Sequence, residues 1–223
     1  MIDLKKYSTL IFDCDGVILN SNKIKTESFR KVLKGYNQNA IEEFIKYHKR
    51  NGGISRYIKL RNFLYVILAK YELKYKPKEN ELENLINKYG YECKHSLLKS
   101  EVTQDLHKLR EYTGDIPWLI VSGGDQIELR EVFEYKKIYQ YFNGGIYGSP
   151  DKKIEIIKRE LIKGKINQPA LMFGDSKLDH VAANKNNIDF IFVSRWTDFE
   201  EYKVYCESNI IKIISSISEL ISN

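Results

Sequence analysis

The feature that most constrains the fold is a short apolar run that stops at two carboxylates and a glycine. Residues 8–12 form this run, and Asp13, Asp15 and Gly16 follow it directly. A short apolar run bounded by polar residues is typical of a buried parallel strand. In open α/β sheets, ligands bind at the carboxyl ends of the strands. Two acids and a glycine at that edge suit a metal ion and a reacting phosphate, because glycine lets the backbone approach a ligand closely.

The order of the other elements predicts an α/β protein with an insertion. Residues 20–100 show only helical periodicity, whereas residues 101–195 alternate between strand-like runs and helices. Such alternation predicts a parallel sheet covered on both faces. A helical segment of this length fits a simple crossover connection poorly. We therefore expect a three-layer Rossmann-like core, formed by residues 1–19 and 101–223, with an inserted α-helical cap domain at residues 20–100.

Two further predicted strands also end in polar residues. The apolar run 117–121 is followed by Ser122 and Gly123, and the run 170–173 is followed by Gly174 and Asp175. Because parallel strands place their carboxyl ends on one edge of the sheet, we expect these residues to lie near the acids that follow the first strand.

A lysine at the start of a helix adds a positive charge to this set. Ser149 and Pro150 give a helix-start signal, since serine is favoured at the N-cap and proline at the first helical position. Lys153 follows in the expected first turn. The adjacent Lys152 is the alternative, and we predict that Lys153 binds the phosphate.

These residue types together suit phosphoryl transfer. A carboxylate can attack phosphorus to form an acyl-phosphate, and a second carboxyl group, held protonated, can donate a proton to the leaving oxygen. The charge on the phosphoryl oxygens calls for a cation, a lysine and a hydroxyl group around them. Asp175 is a natural ligand for Mg²⁺, which prefers one or two carboxylates together with waters and phosphate.

The motifs resemble those of the haloacid dehalogenase superfamily. The stretch from Asp13 to Val17, then Ser122, then Lys153, and finally the stretch from Gly174 to Asp179 look like its four motifs in the right order. The resemblance implies that Asp13 is the nucleophile. It also implies that Asp15 is the general acid and base.

The same resemblance implies the binding groups. Ser122, Gly123 and Lys153 would bind the phosphate of a small phosphorylated metabolite. Mg²⁺ would be held by Asp13, the backbone carbonyl of Asp15, and Asp175. Asp179 would act on the metal through a water or would orient the lysine.

Two positions that differ between branches of the family indicate which reaction to expect. Dehalogenases carry a tyrosine and phosphonatases a small residue at the position of Asp15, so the aspartate implies phosphoester chemistry. The helical insertion resembles the cap of the phosphoglycolate phosphatase and β-phosphoglucomutase branch, in which the mutases carry a histidine where this chain has Lys25. We therefore predict a phosphatase. A sugar phosphomutase is the alternative, and a non-enzymatic regulator on the same fold is a more distant one.

The cap contains candidate substrate contacts. Gly52 and Gly53 precede Ser55 and Arg56 between two predicted helices, and in the family such a loop reaches the active site and contacts the leaving group. Lys25 is a further candidate. The other interpretation is a plain turn between helices, with the arginine in solvent.

Composition restricts the partners. The formal net charge is +6, but the basic residues are interleaved with acids and form no nucleic-acid signature. No apolar run approaches the roughly 18 residues of a membrane span. Three widely spaced cysteines without a CxxC pair fit a reduced, cytoplasmic protein, and Cys14 between the two acids is expected to be a buried small residue. The oligomeric state cannot be read from the sequence.

Overall fold

The computed structural model describes residues 2–221 and contains a six-stranded sheet in which every neighbouring pair is parallel. The strands are β1 (Thr9–Phe12), β2 (Trp118–Asp125), β3 (Gly145–Ser149), β4 (Ala170–Gly174), β5 (Asp189–Val193) and β6 (Lys212–Ile214). Their order across the sheet is β3-β2-β1-β4-β5-β6. The predicted fold class, a Rossmann-like parallel α/β core, is confirmed.

The described residues contain ten α-helices. They are α1 (Asn22–Val32), α2 (Gln38–Arg50), α3 (Arg56–Asn62), α4 (Leu68–Tyr71), α5 (Glu81–Leu97), α6 (Leu106–Thr113), α7 (Gln126–Tyr135), α8 (Lys153–Ile162), α9 (Lys177–Asn184) and α10 (Tyr202–Ser208). A π-helical segment, Phe63–Ile67, joins α3 to α4 without a break. Short 3₁₀ helices lie at Leu4–Lys6, Tyr139–Tyr141 and Ile217–Leu220.

The central strand divides the core into two apolar layers. All four residues of β1 are buried, and their side chains alternate between the two faces of the sheet. Leu10 and Phe12 pack in the layer that includes α6 and α7, whereas Ile11 packs in the layer formed with α8 and α9. A strand buried on both faces has no polar side, which explains why β1 is a continuous apolar run in the sequence.

The helices α1 to α5 lie between two adjacent crossings of the chain. Leu19 forms an isolated antiparallel bridge with Val102, and the Thr103 amide donates to the Ile18 carbonyl at 2.8 Å. The chain therefore leaves and returns to the core at the same place. This geometry agrees with an inserted domain, and the division at residues 20–100 stays a prediction.

An aromatic cluster holds the inserted helices together. The rings of Phe29 on α1 and Tyr89 on α5 stack with centroids 3.9 Å apart, and Phe44 on α2 meets Phe29 edge-on at 5.1 Å. Phe63 extends the cluster into the π-helical segment at 5.3 Å from Phe44. These contacts give the five helices a core continuous with that of the sheet.

The predicted helix start at Ser149 and Pro150 is wrong. Ser149 is the last residue of β3, where it pairs with Asp125, and α8 begins only at Lys153 with Lys152 as its N-cap. The serine is used by the sheet ladder, so the proline after it lies in the connecting turn. The sequence interpretation also did not include α10 and β6.

Within residues 2–221, no helix is both long enough and apolar enough to cross a lipid bilayer.

Replacement of Phe12 by alanine should destabilise the protein strongly. The ring is fully buried and lies between Phe173 and Trp118, with centroid distances of 5.0 and 4.9 Å. Loss of such a ring costs about 3–5 kcal/mol, because a cavity remains. Urea denaturation should show this loss for Phe12→Ala and only a small change for Tyr135→Ala, whose side chain is 68% exposed. Equal effects of the two changes would contradict this packing.

Candidate active site

The polar ends of three adjacent strands meet at the centre of the sheet edge. Asp13 follows β1, Ser122 lies in β2, and Asp175 follows β4. All three residues are buried. The arrangement follows from the strand order, because β1 lies between β2 and β4. The structure thus brings together side chains that are far apart in the sequence.

Lys153 connects the carboxylates of this site. Its Nζ lies 2.8 Å from Asp13 Oδ1 and 2.5 Å from Asp179 Oδ1, and its side chain is 1% exposed. These two acids outweigh the effect of burial and raise the pKa of the lysine above its usual range. Lys152, by contrast, is exposed and lies 3.7 Å from Glu155. Of the two lysines, it is Lys153 that faces the site.

Asp179 is fully engaged by protein groups. One carboxylate oxygen accepts from Lys153, and the other accepts from the backbone amide and the hydroxyl group of Ser176 at 3.1 and 2.6 Å. The second set of bonds forms a capping box at the start of α9. Asp179 therefore fixes both the lysine and the loop that carries Asp175.

The carboxylates form a cluster with the chemistry of a divalent-cation site. Single oxygen atoms of Asp13, Asp175 and Asp179 lie within 4.8 Å of one another. Burial, together with the neighbouring Asp179 and Asp15, raises the pKa of Asp13 to about 7, although Lys153 opposes this shift. Burial and the charge of Asp13 raise the pKa of Asp175 well above its usual value. A hard cation would relieve this repulsion, and carboxylate oxygens are its preferred ligands.

Close packing orients Asp175. A Cβ atom on Gly16 would lie 2.1 Å from Asp175 Oδ2, and φ of this glycine is +77°, so no other residue fits easily. Asn22 donates to the same oxygen at 2.7 Å and to the Trp196 carbonyl at 2.8 Å. Sequence reasoning missed Asn22, because its position after the first motif does not reveal that the fold carries it to β4.

Asp15 is held by two groups from the start of the insertion. Lys25 forms a short ion pair with Asp15 Oδ2, and the Ser21 hydroxyl donates to Oδ1 at 2.6 Å. Burial would raise the pKa of Asp15, but these two partners outweigh burial and lower it. The carboxyl group is therefore ionised here, whereas the sequence interpretation expected a protonated acid.

The inserted helices cover part of a cavity of about 220 Å³ over these side chains. The loop before α3 reaches the core, since a Cβ atom on Gly123 would lie 2.1 Å from the Gly53 carbonyl oxygen. Asp13, Asp15 and Asp175 line the cavity on the core side.

The predicted cap residues occupy different places around the cavity. Lys25 and Arg56 line it, whereas Ser55 lines a neighbouring space on the other side of the loop. The guanidinium group of Arg56 donates two bonds of 2.8 Å to Glu128 on α7 and stacks over the Tyr89 ring. Both members of this ion pair are buried. Arg56 thus ties the inserted helices to the core, and it is not in solvent.

A second buried lysine faces the cavity from α3. Lys59 is 3% exposed, and its Nζ lies 2.8 Å from His48 Nδ1. Nε2 of the same imidazole lies 3.1 Å from the Thr26 hydroxyl. Sequence reasoning did not single out Lys59. The helical spacing of α3 marks Lys59 only as a neighbour of Ser55, which is a weak signal.

Comparison with known proteins identifies relatives across nearly the whole chain. A family model described as haloacid dehalogenase-like hydrolase matches residues 10–193. No curated protein matches the sequence. The structure of a predicted phosphoglycolate phosphatase from Haemophilus somnus covers 98% of both chains, with a TM-score of 0.77 and 15% identity.

Two other solved structures are similar over most of their length. CbbY from Rhodobacter sphaeroides, in complex with phosphate, covers 96% of both chains with a TM-score of 0.69 and 14% identity. A predicted phosphatase from Clostridium acetobutylicum also covers 96% of both, with a TM-score of 0.70 and 19% identity. At such identities the similarity establishes a shared fold.

Removal of Arg56 should destabilise the protein by leaving a buried carboxylate without its partner. Breaking one side of a buried ion pair costs about 3–5 kcal/mol, whereas replacing both sides by apolar groups is often close to neutral. Arg56→Met should therefore lower the free energy of unfolding by this amount, and Arg56→Met combined with Glu128→Leu should recover most of it in urea denaturation.

Arg61→Met is the matched control, since Arg61 is exposed on the same helix. Its effect should stay within about 0.5 kcal/mol. A double variant no more stable than Arg56→Met alone would show that the ion pair does not account for the loss.

Proposed function

The chain belongs to the haloacid dehalogenase-like hydrolase family, and from this premise we propose that it is a Mg²⁺-dependent phosphatase. Its substrate would be a small phosphate monoester, hydrolysed through a phospho-aspartyl intermediate. The observation that carries the proposal is the position of Asp13, which follows the central strand, contacts Lys153, and lines the cavity. A two-step phosphoryl transfer uses a nucleophile, a cation and a space that holds the substrate.

The hydrogen bonds of Asp13 support its role as the nucleophile. The Cys14 amide donates to Oδ1 at 2.7 Å, and Lys153 contacts the same oxygen at 2.8 Å. Both interactions fix the carboxylate through one oxygen. We assign the attack on phosphorus to the other oxygen, Oδ2, which would form the acyl-phosphate bond as the alkoxide leaves. Water would then release phosphate and regenerate the carboxylate.

Groups on β2 and α8 would stabilise the transferred phosphoryl group. Ser122 Oγ accepts a bond from the Gly124 amide at 3.0 Å, which leaves its hydroxyl proton free to donate to a phosphoryl oxygen. The ammonium group of Lys153 would neutralise charge on the same group. Gly123 would contribute its backbone, since the close approach of Gly53 leaves no room for a side chain there.

Asp13, Asp175 and the backbone carbonyl of Asp15 would hold Mg²⁺. The cation would neutralise charge that develops on the phosphoryl oxygens. We assign Asp179 to positioning, because both of its oxygens are already bonded to Lys153 and Ser176. In this assignment, Asp179 acts on the reaction through the lysine.

Asp15 would protonate the leaving oxygen and later accept a proton from water. To do so, it would have to leave its ion pair with Lys25 and gain a proton. Movement of the inserted helices, which carry Lys25, is a means of breaking that pair. The pairing would keep the acid ionised between turnovers and so restrict its action to a substrate-bound state.

Asp13→Asn should abolish phosphate release from p-nitrophenyl phosphate while leaving the melting temperature close to that of the wild type. The amide is a poor nucleophile of the same shape, so the rate should fall below about one thousandth of the wild-type rate. Substantial remaining activity would reject the nucleophile. Release of no phosphate by the wild type would favour the regulator, and isomerised sugar phosphate with little free phosphate would favour the mutase.

Mg²⁺ should raise the melting temperature through the carboxylate cluster. A ligand at 100 times its dissociation constant stabilises the folded state by about 2.7 kcal/mol. Differential scanning fluorimetry should show the shift for the wild type, and EDTA should reverse it. Asp175→Asn should lose the shift, whereas Asp151→Asn, an exposed acid outside the cluster, should retain it. An unchanged shift in Asp175→Asn would place the metal elsewhere.

A further inference from the structure

Lys59 is a buried cation for which the structure supplies no carboxylate partner. Within residues 2–221, no acidic oxygen lies within 4.0 Å of its Nζ, which contacts only His48, at 2.8 Å to Nδ1 and 3.3 Å to the backbone oxygen. The other buried or largely buried cations that line the same cavity are paired, Lys25 with Asp15 and Arg56 with Glu128. Buried charges are rare without a partner, because desolvation is costly.

The position of the ammonium group is fixed by neutral partners. Burial and the charge of Lys59 hold the pKa of His48 well below its usual value, so the imidazole is neutral. The hydrogen-bond network assigns its tautomer: Nδ1 accepts from Lys59, and Nε2–H donates to the Thr26 hydroxyl at 3.1 Å. The two acceptors on His48 use two of the three ammonium protons. One N–H of a rigidly held cation remains for the cavity.

We propose that Lys59 binds a carboxylate on the leaving group, so that the protein acts preferentially on phosphate monoesters of small hydroxy acids. This inference rests on the proposed phosphatase function. Lys59 and Asp13 line one cavity of about 220 Å³, the lysine from the inserted helices and the aspartate from the sheet edge. The leaving group of a phosphoryl group on Asp13 would therefore share this cavity with the lysine.

The charge of the site favours a carboxylate over a second phosphate or a neutral hydroxyl group. One free N–H on one buried cation matches a monoanion, and the further cation on α3, Arg56, is committed to Glu128. The other cations that line the cavity are exposed, namely Lys49, Arg50 and Lys177. A hydroxyl group could accept the bond, but it would leave the buried charge uncompensated. A carboxylate would supply both the acceptor and the missing counter-ion.

The electrostatic environment agrees with a missing anion. Burial, followed by the charges of Lys25 and Lys153, lowers the pKa of Lys59 to about 7. Asp15 and Asp198 oppose this shift without cancelling it. The charged and titratable groups that act on the lysine include Lys25, Lys153, His48, Asp15 and Asp198. The cavity that it shares is also lined by Asp13, Asp175, Lys49, Arg50, Arg56 and Lys177. A bound carboxylate would raise the pKa again and keep the lysine protonated.

The test compares substrates that differ only at the proposed contact. The matched pairs are 2-phosphoglycolate with 2-hydroxyethyl phosphate, 3-phosphoglycerate with glycerol 3-phosphate, and 6-phosphogluconate with glucitol 6-phosphate. In the pair turned over best, the wild type should prefer the acid roughly 10- to 100-fold in kcat/KM. Lys59→Met should reduce this ratio to near one, and Lys59→Arg should keep a clear preference. Lys46→Met, an exposed lysine on α2, should behave as the wild type.

The pH dependence supplies a second readout. In the free protein, Lys59 loses its proton as the pH rises above about 7, so kcat/KM for the acid should fall relative to that for the alcohol. Titrations shared by both substrates, such as that of Asp13, cancel in this ratio. The decline should be absent in Lys59→Arg, whose guanidinium group stays charged.

Several results would overturn the inference. They are a wild-type preference for the alcohols, a preference for glucose 1,6-bisphosphate over all three acids, and a ratio that Lys59→Met leaves unchanged. Removal of an unpaired buried charge should not lower the melting temperature, so a loss of folding in Lys59→Met would also contradict it. If p-nitrophenyl phosphate is hydrolysed but no acid is preferred, only this inference fails. If no phosphate ester is hydrolysed, the proposed function fails.

Discussion

The ion pairs of Lys153 are the interaction on which the site depends. Asp13, Asp175 and Asp179 are buried at the edge of the sheet, and such a cluster of like charges is unfavourable without compensation. Lys153 supplies one positive charge between Asp13 and Asp179. Asp179 also forms the capping box of α9 and so fixes the loop that carries Asp175. The remaining excess of negative charge would favour a divalent cation in this cluster.

The inserted helices complete the site by enclosing it. Their position on the core depends on the buried pair between Arg56 and Glu128, on the contact of the Gly53 loop with Gly123, and on the two adjacent crossings at residues 19 and 102. Two lysines from these helices then face the cavity. Lys25 binds Asp15, and Lys59 contacts His48 alone among the described residues. The core thus provides groups suited to phosphate, whereas the insertion provides those suited to the leaving group.

From the sequence alone, the site residues that could be predicted are those that directly follow an apolar strand. Asp13 and Asp15 follow a strand that its apolar run already predicts, and the strand order brings Ser122 and Asp175 beside them, as expected. The family model confirms the family that the motifs indicated. Arg56 was interpreted as a substrate contact or a solvent-exposed residue, and its partner Glu128 lies 72 residues away, where no local pattern reveals it.

Other features depend on tertiary packing that no local pattern contains. Asn22 reaches Asp175 across the fold. Lys59 becomes unusual only because it is buried with no carboxylate of residues 2–221 within 4.0 Å of its Nζ. Burial would raise the pKa of Asp15, but its contacts with Lys25 and Ser21 lower it, whereas the sequence analysis expected a protonated acid. Ser149 and Pro150 carried a local helix signal that the pairing of β3 with β2 overrides.

Phosphorylation of Asp13 during turnover can be detected by mass spectrometry of acid-quenched protein. We expect the added mass of one phosphoryl group on the peptide that contains Asp13, its loss in Asp13→Asn, and its disappearance once the substrate is consumed. Turnover without any phosphorylated peptide, or with the phosphoryl group on another residue, would rule out Asp13 as the nucleophile.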